Sequence, residues 1–172
     1  MNISTNSAPG KPTTLTVEEN IEIDVSPQEA WDMISDFARL HEWHPAVVES
    51  ELVAGTNLVP GAVRHLTLGN GATLDEKLTV YEPHNKMLEY VIVAGEFPAS
   101  DYRSVLAVKP LAEPGKSHIT WRGFFNRADP SPTPAPNQDD ATAIRVVTGV
   151  YTSGLQALRK TIADRNLSKG NK

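Results

Sequence analysis

The feature that most limits the fold of this chain is a run of alternating segments joined by very short turns. In each segment apolar and polar residues alternate, as in a strand with one buried face. The segments are residues 46–54, 62–69, 72–82, 86–95, 101–110 and 117–126. Because connections this short join antiparallel neighbours, the run predicts one continuous antiparallel sheet.

A further strand and two short helices are predicted before this run. Residues 16–25 alternate like the other strands. The segment "SPQEAWDMI" opens with serine, proline and glutamate at the spacing of a helix capping box. The segment "DFARLHEW" predicts a second short helix that ends before Pro45.

The last long segment, residues 139–166, predicts a single helix. Acidic residues stand at its start and basic residues towards its end, as the helix dipole favours. Its apolar residues recur at helical spacing and include Val146, Val150 and Tyr151. Gly154 interrupts this stripe, and a glycine weakens a helix by about 1 kcal/mol relative to alanine. It therefore indicates a close approach, either by a packed side chain or by a ligand.

Together these elements predict an α+β fold in which a seven-stranded, curved antiparallel sheet wraps around a long C-terminal helix. A sheet of this size curls, and only the long helix is able to cover its apolar concave face. Residues 16–165 are predicted as a single domain. Residues 1–15 and 166–172, rich in small and polar residues, are predicted as flexible tails.

Composition excludes several classes of function. Sixteen basic residues are scattered among twenty-one acidic ones and the formal net charge is -5, so no nucleic-acid partner is predicted. The chain has no cysteine, which excludes disulfides and thiolate chemistry. We find neither a signal-peptide pattern nor the run of about 18 apolar residues of a membrane span, so a cytoplasmic protein without a membrane span is predicted.

Two charged residues fall on the predicted apolar face of one hairpin, "VRHLTLGNGATLDEKL". A three-residue loop at residues 69–71 would pair Arg64 with Glu76 across the strands. A two-residue turn would pair Arg64 with Lys77 and turn the apolar faces of the two strands apart. The apolar pattern favours the first register. The predicted ion pair is either purely structural or a group that a ligand contacts.

Residues 26–50 combine Trp31 with the pattern formed by Phe37, Trp43 and Pro45. This segment resembles the first helical segment of the START-like (SRPBCC) helix-grip superfamily, in particular its polyketide cyclase/dehydrase and lipid-transport group. The segments "PGAVRHLTL", "DEKLTVYEPHNKMLEYVIV", "SDYRSVLAVKP", "HITWRGFF" and "YTSGLQALRKTI" follow in the family's order. The resemblance implies the fold predicted above, with a hydrophobic ligand held between the curved sheet and the long helix.

The chain departs from the plant hormone receptors of the same superfamily. The loop "GNG" is shorter than their gating loop, and "EFPAS" replaces the polar stretch of their latch. Val48 stands where they carry a pocket lysine. These departures argue against hormone sensing by the same mechanism.

Side-chain alternation identifies the residues of the sheet and helix that face each other. The predicted ligand-binding residues are Val48, Ser50, Arg64, Leu66, Leu68, Glu76, Tyr90, Ile92, Tyr102, Ser104, Trp121, Val146, Val150 and Gly154. Trp121 is predicted either as core or as a stacking wall for an aromatic ligand. No cofactor and no metal site are predicted, because His41 and His44 lack a third ligand and are expected on the surface.

Three functions agree with this site. The leading hypothesis is that a monomer or weak homodimer binds a small hydrophobic, lipid-like or aromatic ligand in the internal cavity. The alternative is a cofactor-independent polyketide cyclase or dehydratase, with Glu76 as the base and Arg64 and Tyr102 stabilising the enolate oxygen. The third is a ligand-responsive module that binds another protein through the loops "GNG" and "EFPAS".

Overall fold

Seven antiparallel strands form one sheet in the computed structural model, which describes residues 13–170. The strands are β1 (Leu15–Ile23), β2 (Val47–Ala54), β3 (Val63–Leu68), β4 (Thr73–Glu82), β5 (Met87–Gly95), β6 (Ala99–Pro110) and β7 (Ser117–Arg127). They lie in the order β1-β7-β6-β5-β4-β3-β2, so the first strand pairs with the last. Every other pair joins neighbours in sequence, as the short turns predicted.

Two short helices and one long helix complete the fold of the described residues. Helix α1 (Pro27–Ile34) and a 3-10 helix (Phe37–Glu42) follow β1, and α2 (Asp140–Gly170) follows β7. The hydroxyl of Ser26 accepts a hydrogen bond from the Glu29 backbone N–H at 3.2 Å, as the capping pattern predicted. Among residues 13–170, no helix is both long and apolar enough to cross a membrane.

The hydrophobic core lies between the sheet and α2. Trp121 of β7 stacks on Tyr151 of α2, with ring centroids 4.5 Å apart. Both side chains are fully buried, together with Phe37, Leu78 and Ile119. The predicted α+β helix-grip fold is therefore confirmed, with α2 covering one face of the sheet.

The β3–β4 hairpin has the register favoured by its apolar pattern. Arg64 lies opposite Glu76, and the Leu68 backbone N–H donates to the Ala72 carbonyl at 2.9 Å. Gly71 adopts a φ of 86°, a left-handed conformation that residues other than glycine rarely adopt. The predicted three-residue loop is confirmed.

The helix α2 is longer than the sequence predicted. It continues through the first residues of the predicted C-terminal tail to Gly170. No proline interrupts this stretch, and the Asn166 side-chain amide donates to the Asp24 carbonyl at 3.2 Å, which attaches the helix to the segment after β1. Residues 1–12 and 171–172, which belong to the two predicted tails, lie outside the described residues.

Candidate functional site

The candidate site is built around a buried ion pair between neighbouring strands. The Arg64 Nε donates to Glu76 Oε2 at 2.8 Å, and the Arg64 Nη2 lies 2.6 Å from the same oxygen. The Arg64 Nη1 donates to the Phe37 carbonyl at 2.8 Å. Only 4% of the Arg64 side chain and 7% of the Glu76 side chain are exposed. Such a pair is tolerated in the interior because its members neutralise each other and form hydrogen bonds.

Aromatic rings enclose the Arg64 guanidinium. Its central carbon lies 4.1 Å from the ring centroid of Phe37 and 4.9 Å from that of Tyr90. Both distances are within the range of cation–π attraction. Arg64 is therefore held by one carboxylate, one carbonyl and two rings.

A cavity of about 60 Å³ lies beside this pair, between α2, β3–β7 and the segment that follows the 3-10 helix. Eight predicted ligand-binding residues line it: Leu66, Leu68, Glu76, Tyr90, Ile92, Tyr102, Trp121 and Val150. Six residues that were not predicted as ligand-binding also line it: Leu40, His44, Ala46, Val47, Leu74 and Phe97. Among residues 13–170, Glu76 contributes the only carboxylate of this lining.

His44 is the main unpredicted feature of the wall. The sequence placed it on the surface, but only 1% of the residue is exposed. Its Nδ1 accepts a hydrogen bond from the Ala46 backbone N–H at 3.1 Å, so the ring hydrogen is on Nε2. The Nε2–H donates to the Val150 carbonyl at 2.8 Å and joins this segment to α2. The surface prediction is wrong because His44 lies in an irregular segment, where no periodicity reports burial.

Gly154 is the residue on which His44 packs. A Cβ added at Gly154 would lie 2.7 Å from His44 Cδ2 and 3.0 Å from Trp121 Cζ3, both closer than side chains normally pack. Of the two explanations for this glycine, close packing of a side chain is therefore correct. The space at Gly154 is filled by the protein and does not line the cavity.

A chain of buried hydroxyl groups lies behind the cavity. The Tyr102 and Tyr151 hydroxyls are 2.5 Å apart, and the Tyr151 hydroxyl lies 2.9 Å from Ser104 Oγ. The Trp121 Nε1–H donates to Ser104 Oγ at 2.8 Å and lies 3.2 Å from the Tyr90 hydroxyl. Burial raises the pKa of Tyr90 to about 12 and raises the pKa of Tyr102 and Tyr151 as well. All three phenols therefore stay protonated at neutral pH.

Comparison with known proteins identifies the family. The family described as polyketide cyclase / dehydrase and lipid transport matches residues 14–163. The chain belongs to this family. A comparison with curated proteins finds no match.

Solved structures agree with this membership. Protein XoxI from Bacillus cereus is 31% identical, with a TM-score of 0.76 over 88% of this chain and 97% of its own. A protein from Bacillus thuringiensis is 31% identical, with a TM-score of 0.74 over 87% and 99% of the two chains. A START superfamily protein from Mycobacterium smegmatis, 14% identical with a TM-score of 0.68 over 87% and 97%, shows the fold alone.

Val48 does not face the cavity of this polyketide cyclase/dehydrase-family domain. It is 61% exposed, whereas the neighbouring Val47 is buried. The pairing of β2 with β3 shifts register between Val47 and Glu49, so the alternation used to place Val48 breaks there. The prediction that Val48 lies on the inward face of the sheet is wrong for this reason.

Four other predicted ligand-binding residues lie outside the cavity lining. The Ser50 hydroxyl donates to the Ala38 carbonyl at 2.8 Å, and Ser104 belongs to the buried hydroxyl chain. Arg64 is enclosed as described above, and Val146 is half-buried on α2. Within residues 13–170 no group of histidine or acidic side chains is arranged to hold a metal ion.

Substitution of Gly154 by alanine tests the packing of His44 on α2. We expect Gly154→Ala to lower the free energy of unfolding by about 1–3 kcal/mol, because the new methyl group overlaps His44 and Trp121. Gly149→Ala is the matched control, since a Cβ there meets no atom within 4 Å. It should raise stability by up to about 1 kcal/mol through helix propensity. Urea denaturation measures both, and equal effects of the two substitutions would contradict the packing.

The buried His44 also predicts a dependence of stability on pH. Burial is the main cause that lowers the pKa of His44 below its ordinary value of 6.5, and the Arg64 charge lowers it further, against the opposing Val150 hydrogen bond. As the pH falls below 6.5, His44 binds a proton in the unfolded chain but stays neutral in the folded chain. The contribution of His44 to the free energy of unfolding should therefore be lost as the pH falls through this value and be retained well above it.

Variants at two histidines isolate this contribution. His44→Gln should remove the part of the pH dependence between pH 7.5 and 5 that belongs to His44. His41→Gln, at an exposed position, is the matched control. Urea unfolding curves across this range give both results, and an unchanged slope in His44→Gln would refute the assignment.

Proposed function

We propose that this domain binds a small hydrophobic molecule in the cavity between the sheet and α2. The observation that carries the proposal is a nearly apolar wall to which residues 13–170 contribute a single carboxylate, Glu76. Ligand sites commonly combine an apolar lining with a few polar groups that orient the ligand. The description of the matched family, which includes lipid transport, supports the same class of ligand.

The size of the cavity limits what enters without movement of the wall. Its volume is about 60 Å³. An engineered protein cavity that binds benzene is much larger, at about 150 Å³. A ring or an acyl chain therefore needs part of the wall to move.

Phe97 is the wall residue best placed to move. It is half-buried in the short connection between β5 and β6, within the segment "EFPAS". Its ring packs edge-on against Tyr102, with centroids 5.4 Å apart. A side chain in a loop moves at lower cost than one packed within a strand or helix. We therefore assign Phe97 as the gate of the cavity.

Removal of this ring tests ligand binding at the cavity. Wild-type protein should bind toluene weakly, with amide NMR shifts concentrated in the strands and the helix around the cavity. Phe97→Ala should bind toluene at least about 10-fold more tightly, because the substitution removes the gate and enlarges an apolar space.

Val93→Ala is the matched control, because Val93 lies on β5, is 51% exposed and does not line the cavity. It should bind toluene as the wild type does. Shifts that are absent in both wild type and Phe97→Ala, or that spread over the outer face of the sheet, would contradict the proposal.

The free oxygen of Glu76 also favours a second candidate function, proton abstraction next to a carbonyl. Glu76 Oε2 binds Arg64, and Oε1 has no protein hydrogen-bond partner within residues 13–170. A general base needs such an available oxygen. Arg64 is already bound to Glu76 and Phe37, and the Tyr102 hydroxyl contacts Tyr151. In this candidate function Glu76 is the base, and Arg64 does not stabilise the enolate oxygen.

A deuterium-exchange assay tests this candidate. If Glu76 is a base, the protein accelerates exchange of the hydrogens beside the carbonyl of 2-tetralone in D₂O. Glu76→Gln should reduce this rate by at least about 100-fold, as for loss of a general base. Asp75→Asn, a neighbour on β4 that pairs with His65, should leave the rate unchanged. No acceleration by wild type, or an equal rate in Glu76→Gln, would eliminate the enzymatic candidate.

A further inference from the structure

Glu76 keeps one carboxylate oxygen available to the cavity. Its Oε2 takes both contacts from Arg64, whereas Oε1 has no protein partner in the described part of the chain. The one fully buried side-chain polar atom without a partner in residues 13–170 is Asn126 Oδ1. Oε1 also lacks a partner but is not such an atom, so it is not fully buried. It therefore meets open space, although only 7% of the Glu76 side chain is exposed. The space that the Glu76 side chain borders is the cavity.

The other polar groups of the wall are already engaged. Both ring nitrogens of His44 are used, by Val150 and Ala46. The Trp121 N–H donates to Ser104 and also lies 3.2 Å from the Tyr90 hydroxyl, and the Tyr102 hydroxyl contacts Tyr151. Oε1 is thus the acceptor that a molecule entering the cavity finds free.

The charge balance of the site selects among ligands. Arg64 and Glu76 neutralise each other, and the donor and acceptor roles of the two His44 nitrogens require a neutral ring. A carboxylate would place a second negative charge beside Oε1 in apolar surroundings. An ammonium group would leave a net positive charge there. Burial of either uncompensated charge is unfavourable, whereas a neutral hydroxyl adds no charge and donates one hydrogen.

Resting on the proposed function, we propose that the ligand is a neutral alcohol or phenol whose hydroxyl donates to Glu76 Oε1. The apolar body of the molecule then lies against Leu66, Leu74 and Ile92, while Arg64 keeps Oε2. Hydrogen bonds to an ionised acceptor are stronger than those between neutral groups, so the hydroxyl contributes binding energy as well as orientation. The site discriminates against fatty and aromatic acids, although an arginine lies next to it.

Four probes of similar size test the proposal at pH 7: toluene, p-cresol, benzoate and benzylammonium. Their affinities are measured by NMR titration against wild type and against Phe97→Ala, which provides room for a ring. We expect p-cresol to bind at least about 10-fold more tightly than toluene, as a charge-assisted hydrogen bond implies. Benzoate and benzylammonium should each bind at least about 10-fold more weakly than toluene.

Glu76→Gln removes the negative charge of Glu76 at nearly the same side-chain size. The glutamine amide keeps an acceptor but leaves the Arg64 charge unbalanced, so the p-cresol advantage over toluene should fall below about 3-fold and benzoate should gain affinity. Asp75→Asn, on the same strand, should keep the wild-type order of affinities. If Glu76→Gln does not fold, the order of the four probes on wild type and Phe97→Ala still decides the proposal.

The outcomes separate this inference from the proposed function. If toluene binds in the cavity but p-cresol binds no better, or if benzoate or benzylammonium binds as well as p-cresol, the hydroxyl specificity is wrong and the hydrophobic site stands. If no probe shifts the resonances of cavity-lining residues in either protein, the proposed function and this inference both fail.

Discussion

The buried ion pair between Arg64 and Glu76 connects three parts of the fold. It joins β3 to β4, and through the Phe37 carbonyl it also attaches the 3-10 helix to the sheet. Removal of one member of a buried pair typically costs about 3–5 kcal/mol, because the other charge is left uncompensated. The hairpin register, the position of the 3-10 helix and the oxygen presented to the cavity all depend on this pair.

His44 provides a second connection, from the segment after the 3-10 helix to α2. Its hydrogen bond to the Val150 carbonyl and its packing on Gly154 hold the helix close to the sheet. The same side chain is part of the cavity wall. Movements that open the cavity near His44 would therefore disturb the contact between sheet and helix, which makes the loop carrying Phe97 the less costly place to open.

Much of the fold was predictable because its signals are local. Alternation located the strands, and the choice between two turn lengths placed Arg64 opposite Glu76. The position of Val48 was not predictable, since the shift in pairing after Val47 leaves no mark in the alternation. The burial of His44 was not predictable either, because its partner on α2, Val150, lies 106 residues away.

The size of the cavity was not predictable from the sequence either. The apolar inward residues predicted an internal site, but the volume left over depends on how large rings pack together. Trp121 and Tyr151 stack face to face, and the ring centroids of Tyr90 and Tyr102 are 6.3 Å apart. These contacts fill most of the space between sheet and helix, and only a small cavity remains beside Glu76.

A crystal structure of the Phe97→Ala protein with p-cresol tests the central claim most directly. We expect density for the ring inside the cavity, with the hydroxyl about 2.5–2.7 Å from Glu76 Oε1 and the Arg64 contacts to Oε2 unchanged. A p-cresol hydroxyl bound to Arg64 in place of Glu76, or an empty cavity with the ring bound elsewhere, would contradict it.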